Sequence, residues 1–206
     1  MIRFWEADGR WSEPGTGEVL PDLQVDPTDA ALFLHLQPHP EGGFFRETYR
    51  SPNRVSTPWG WRSYLTCALF MVTADSPSHW HQLLADETWF YQAGAPVEHY
   101  SLTEGGRLQK VVLGPHHLNY QEVGMDTPEW LAPRVHVPPS AWQAARLVPY
   151  TDEASSAPVS WGLVACIVAP GFDFADFKSA TRSEFLSRHG ERFRGASALL
   201  DLLPGR

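Results

Sequence analysis

The 206-residue sequence predicts an all-β domain, a sandwich or barrel of short strands. Three observations carry this. From Tyr64 onward, short runs rich in aromatic and β-branched residues follow one another with no βαβ alternation. Turn signals built on Gly, Pro, Asp and Ser separate these runs at near-regular spacing. Eighteen prolines and 16 glycines also argue against a helical bundle.

Residues 1–26 are rich in Gly, Pro, Asp and Glu, lack a sustained period, and read as an N-terminal arm. Pro27-Thr28-Asp29 supplies helix-start chemistry for a short apolar helix from Ala30 to Leu36, which Pro38 and Pro40 must end. Glu41-Gly42-Gly43 turns the chain into a strand from Phe44 to Arg50, and Ser51 to Trp61 reads as a loop. Strands are then expected over Tyr64 to Thr73, Ser78 to Leu83, Thr88 to Gln92, Val97 to Leu102, Leu108 to Leu113, Arg134 to Val137, Trp142 to Leu147 and Trp161 to Val168. After Pro170-Gly171 the character changes, and Ser183 to Gly190 predicts a surface helix. The expected organisation is an arm (1–26), a main β domain (27–180) and a C-terminal helical tail (181–206).

Composition bounds the function. Hydrophobic residues make up 43% and charged residues 19%, which suits a packed core. The net charge of -8, with no run of Lys or Arg, disfavours nucleic acid and anionic membrane as partners. Residues 1–10 lack the apolar segment of a secretory signal, and the apolar run from Leu65 to Val72 is too short to span a bilayer, so a cytoplasmic protein is expected. Cys67 and Cys166 lie in apolar runs and read as free thiols. Nine tryptophans point to an aromatic core, an aromatic-lined pocket, or both.

The stretch from Ser78 to Gly94 concentrates the chemistry. Residues two apart on a strand share a face, so His79 and His81 can present two imidazoles together. A reversal at Leu83-Leu-Ala-Asp86 brings Glu87 beside them, with Trp89 and Tyr91 on the same face. Two imidazoles and a carboxylate form a common ligand set for a divalent metal. The same groups also read as a buried hydrogen-bonded pair, with His79 a surface histidine. In the strand from Phe44, Arg46 shares one face with Phe44 and Thr48, while Glu47 shares the other with Phe45 and Tyr49. Arg46 would contact an anion if it faced a cavity, or form a salt bridge with Glu41 or a partner subunit. Trp142 reads as core or interface, adjoining the candidate site. His99, His116, His117 and His136 lack a second ligand at a useful spacing and read as solvated or turn residues.

His79-x-His81, Glu87 and Gly94, followed by a Pro-rich segment, resemble the two-motif pattern of the cupin superfamily. More closely, the chain resembles the Cupin_5 (DUF985) family. The motifs are His39-Pro-Glu-Gly-Gly-Phe-Phe-Arg-Glu-Thr-Tyr-Arg50, Trp80-His81, Asp86-Glu87-Thr-Trp89, Val137-Pro-Pro-Ser-Ala-Trp-Gln143 and Val168-Ala-Pro-Gly-Phe-Asp-Phe-Ala-Asp-Phe177. The resemblance implies a double-stranded β-helix, the jelly-roll cupin barrel, related to nucleotide-sugar epimerase cupins and paired as a homodimer. It implies no established reaction. Read on the cupin pattern, His79, His81, Glu87 and Gln143 are the tentative metal ligands, with Gln143 where a fourth histidine is usual. Read on the epimerase-like pattern, His81, Glu87 and Tyr91 are the catalytic candidates, with Arg46, Glu47, Tyr49, Trp89, Trp142 and Gln143 lining the substrate site. The function expected is binding of a small polar or anionic molecule in the barrel, with a divalent metal as candidate cofactor. The alternatives are a metal-independent carbohydrate isomerase or epimerase and a non-catalytic binding or storage protein.

Overall fold

A computed structural model describes residues 4–5, 11–12, 20–115, 131–152 and 156–205. Strands β1 (Phe4–Trp5) and β2 (Trp11–Ser12) pair antiparallel within the arm. Helix α1 (Pro27–Phe33) follows, with the Asp26 side chain accepting the Thr28 N–H at 2.8 Å and Pro27 where a missing N–H costs nothing. The helix stops short of Leu36, and His35 takes a φ of 54°. Its Ala30 and Ala31, with the cap residue Leu34, bury against Leu69, Met71, Trp161 and Leu163.

The remaining strands run β3 (Gln37–Pro38), β4 (Phe44–Arg50), β5 (Arg54–Thr57), β6 (Gly60–Ser63), β7 (Thr66–Thr73), β8 (Ser78–Leu83), β9 (Asp86–Gly94) and β10 (Val97–Leu102). They continue with β11 (Leu108–Leu113), β12 (Leu131–Ala132), β13 (Arg134–Val137), β14 (Trp142–Leu147), β15 (Thr151–Asp152), β16 (Ala157–Pro158), β17 (Trp161–Ala169) and β18 (Phe177–Ser179). Two six-stranded sheets result, ordered β13-β9-β17-β7-β4-β3 and β12-β11-β10-β14-β8-β18. Non-sequential neighbours in both sheets make the double layer expected from the strand pattern, in the jelly-roll form that the family resemblance implies. Phe70, Trp89 and Val164 of the first sheet meet Val97, Leu113 and Ala145 of the second in one apolar interior.

Two local departures from regular pairing aim the side chains. In β4 the register shifts between Glu47 and Tyr49, which oppose Ala68 and Cys67, so Thr48 is an inserted residue and the period of two breaks there. In β8, Gln143 opposes His81 while Ala145 opposes Ser78, so the extra residue lies between them and Ser78 joins the face of His81.

The segment expected as a loop from Ser51 to Trp61 instead contains most of the β5–β6 hairpin, with Gly60 at a φ of 120° in its turn. Local hydrogen bonds close it: Thr57 Oγ1 donates to the Gly60 carbonyl at 2.6 Å. The hairpin is tied to a strap over residues 171–177. Arg62 grips Asp176 through two bonds of 2.6 Å, and Gly171 N–H donates to the Ser63 carbonyl at 2.8 Å.

The tail forms helix α2 (Arg182–His189) and two short 3-10 turns. Phe185, Phe193, Leu199, Leu202 and Leu203 cover the outer face of the second sheet, packing on Trp80, Tyr100, Leu102 and Trp142. Trp80 Nε1 donates to the Leu199 carbonyl at 2.9 Å. Both cysteines are free thiols, and no described helix is long and apolar enough to cross a membrane.

Candidate functional site

A cavity of about 60 Å3 opens between the sheets, room for a few waters or a molecule of a handful of heavy atoms. Phe45, Phe70, Trp89, Val168 and Phe172 make much of its wall, and His39, Glu41, Glu47, Thr66, His81 and Glu87 supply its polar groups.

Glu41 is held in place by backbone geometry that only glycine supplies. Gly42 takes a φ of 96°, and its neighbour Gly43 a φ of 66°. The turn lets the Glu41 carbonyl accept the His79 N–H at 2.7 Å, which docks the turn onto β8. One carboxylate oxygen of Glu41 accepts the Ser78 hydroxyl at 2.8 Å; the other lies 3.3 Å from both His39 Nδ1 and His81 Nε2. Burial alone would raise this carboxyl, but the charges of His81 and His39 and the bonds from His39 and Ser78 hold it below its ordinary value. His39 stands in a ring of aromatics, edge-on to Phe45 at 4.7 Å and stacked on Phe174 at 5.8 Å.

The tautomer of His81 follows from its partners. Its Nδ1 lies 2.8 Å from the His79 carbonyl, which can only accept, so Nδ1 carries a proton and Nε2 faces Glu41. Phe177 stacks on the ring at 5.5 Å.

Glu87 lies on β9 of the facing sheet, in a different environment. Gln143 Nε2 donates to its Oε2 at 2.6 Å, and the other end of that amide meets His99 Nε2 at 3.1 Å. Burial raises the Glu87 carboxyl above its ordinary value; the Glu41 charge adds to the rise, against opposing contributions from His81, Gln143 and Trp89. Burial likewise pushes the neighbouring Cys166 thiol well up, helped by Glu87 and Glu41, so it stays an S–H. The Trp89 indole N–H feels the Glu87 carboxyl but makes no proper hydrogen bond; with His99 Nδ1 it is a buried side-chain polar atom left unpartnered among the described residues.

The sequence-predicted residues thus divide. His81, Glu87, Trp89 and Glu47 line the cavity, and Gln143 stands behind Glu87. His79 turns its Nδ1 to the Glu41 carbonyl at 2.7 Å instead of joining His81, because the irregularity in β8 breaks the alternation. Tyr49 is half exposed beyond the β4 bulge. Arg46 lies over the outer face, its Nε donating to the Leu34 carbonyl at 2.8 Å. Tyr91 shares the inner face but spends its hydroxyl on the Gly94 carbonyl at 2.6 Å, and burial raises its phenol. Trp142 packs under the tail, edge-on to Phe185 at 5.4 Å. His99, read from sequence as solvated, is buried, and burial lowers it to about 4. His136 is exposed, while His116 and His117 lie outside the described residues.

Sequence reasoning missed Glu41 and His39 as site residues, although His39-x-Glu41 directly before two glycines was the available signal. The tentative metal set does not fit. His79 is tied to a carbonyl, Gln143 bridges His99 and Glu87, and no group of three His, Cys, Asp or Glu among the described residues is arranged to hold a metal ion.

Two jelly-roll sheets enclosing an apolar interior with a few convergent polar groups define a cupin. The chain belongs to the Cupin_5 family, described as Cupin superfamily (DUF985), which matches residues 30–180. Among solved structures, it is similar to a hypothetical protein from Leishmania major, with 29% identity and a TM-score of 0.69, covering 87% of this chain and 98% of that one. It is also similar to a protein from Shewanella oneidensis solved by X-ray crystallography, with 26% identity and a TM-score of 0.68, covering 86% and 97% of the two chains. No curated protein matches.

Proposed function

We propose that the barrel binds a small polar molecule and moves a proton on it, as a metal-independent isomerase or epimerase of the carbohydrate or carbonyl type. The observation that carries this reading is geometric: His81 Nε2 lies 3.3 Å from the Glu41 carboxylate at a cavity that Glu87 enters from the facing sheet, with Glu41 held down and Glu87 pushed up by their surroundings. In this scheme Nε2 is the His81 nitrogen that exchanges the proton, because Nδ1–H is spent on the His79 carbonyl. A proton leaving the ligand carbon passes to His81 Nε2, and Glu41 stabilises the imidazolium. Glu87, from the facing sheet, returns a proton to the ligand. Of the catalytic candidates read from the sequence, His81 and Glu87 act in this scheme, Glu41 joins them, and Tyr91, whose hydroxyl is spent on the Gly94 carbonyl, takes no part.

The test is solvent exchange. In D2O with chelator present, small aldoses and ketoses are expected to gain deuterium next to the carbonyl, and His81→Ala should abolish the gain. No exchange across the panel, or exchange unchanged in His81→Ala, would overturn the proposal. The homodimer implied by the family is tested separately by light scattering, where a monomer at micromolar concentration would refute it.

A further inference from the structure

The cavity's charges are matched from within the protein. Glu47, at the rim, has both oxygens taken by Arg50, at 2.8 and 2.6 Å. That same guanidinium also donates to the Phe172 carbonyl at 3.0 Å. Glu41 is flanked by Ser78, His39 and His81. No Lys or Arg among the described residues lines the cavity, so nothing there offers an anion a fixed positive partner. A cation fares no better, since two of the three carboxylates are already engaged and burial favours the uncharged form of the third, Glu87.

The polar capacity left over is of the donating kind. In its protonated form, which burial favours, the Glu87 carboxyl is an O–H donor through the oxygen that Gln143 leaves free, Oε2 being taken. The Trp89 indole N–H beside it is a donor without a hydrogen-bond partner among the described residues. Around them the wall is aromatic and aliphatic.

We infer that the barrel selects an uncharged carbonyl compound over anionic ligands, placing its oxygen at the Glu87–Trp89 end and its apolar side against Phe45, Phe70 and Phe172. This rests on the barrel being the ligand site proposed above, and it replaces the expectation of an anion contact at Arg46.

Three planar molecules of one shape isolate the charge: acetamide, acetate and acetamidinium, titrated at neutral pH while the indole N–H resonances are followed by NMR. Acetamide is expected to move the Trp89 resonance, identified by its loss in Trp89→Phe, and each ion to bind at least about tenfold more weakly. Glu87→Gln, which keeps a donor, should retain acetamide binding, whereas Glu87→Leu should weaken it about five- to tenfold. Either ion binding as tightly as acetamide, or Glu87→Leu binding acetamide undiminished, would overturn the inference while leaving the deuterium-exchange result standing. If no probe binds and exchange is also absent, the barrel reading itself falls.

Discussion

His81 Nε2 lies 3.3 Å from Glu41 Oε2, and both side chains are almost wholly buried. The contact joins a residue of the second sheet to a turn that enters the first, so the two layers meet in one buried histidine–carboxylate pair. Glu41→Gln keeps the shape but removes the charge that stabilises the imidazolium. Deuterium exchange is expected to fall about 100-fold or more, with the far-ultraviolet circular dichroism unchanged. A variant that exchanges at the wild-type rate would show that Glu41 is only a packing residue.

Glu87 is expected to cost stability at neutral pH. Its folded-state value is raised by burial, so the folded chain holds this proton more tightly than the unfolded chain, and stability declines as pH rises above the unfolded value of about 4.3. Glu87→Gln, which cannot ionise, should therefore melt at a higher temperature than the wild type at pH 7. The advantage should shrink as pH falls and disappear by about pH 3, where both states are protonated. A lower melting temperature at pH 7 would contradict the assignment.

His99 makes the opposite contribution. Burial lowers it to about 4 in the folded protein, whereas an unfolded histidine titrates near 6.5. Between these values the unfolded chain binds the extra proton, so acid favours unfolding. Roughly 3 kcal/mol should be lost as pH falls from about 6.5 to 4. Glu41, held low, adds a further loss as pH drops through its own folded value. His99→Gln retains a donor for Gln143 and does not titrate, so urea midpoints should show a flatter acid limb. An unchanged limb would mean that His99 is protonated in the folded state.

The strand pattern was legible because hydrophobic alternation and turn chemistry are local. Val97 to Leu102, Leu108 to Leu113 and Trp142 to Leu147 form strands over the expected residues. The site was legible only where alternation is unbroken. His81, Glu87 and Trp89 share an interior as a period of two requires, but His79 lies within the irregular stretch of β8 and Tyr49 just beyond the inserted Thr48, and such an insertion reverses which face a side chain takes. The role of Glu41 was hidden for another reason: its partners His81 and Ser78 lie far away in sequence, and their meeting depends on the turn that Gly42 permits. The burial of His99 follows from the pairing of β10 with β14, a long-range property.

Gly42 is accordingly a strong test of the fold's hold on the site. A Cβ at this position would stand 2.0 Å from the Pro77 carbonyl oxygen and 2.9 Å from His79 Nδ1, with φ already at 96°. Gly42→Ala is expected to destabilise by about 2–4 kcal/mol in chemical denaturation. Substitution of Gly195, whose Cβ would meet nothing within 4 Å, serves as the control and should be near neutral.

The tail has a bearing on how the molecule is to be handled. The family match ends at residue 180, yet Phe185, Phe193 and Leu199 lie beyond it and roof the sheet that carries Trp80 and Trp142. A gene fragment trimmed to the matched span would leave two tryptophans facing solvent, and its insolubility would report on the cut and not on the barrel. The smallest piece worth expressing therefore runs past Leu203, and fusion partners belong after Gly205, where an added side chain meets nothing within 4 Å.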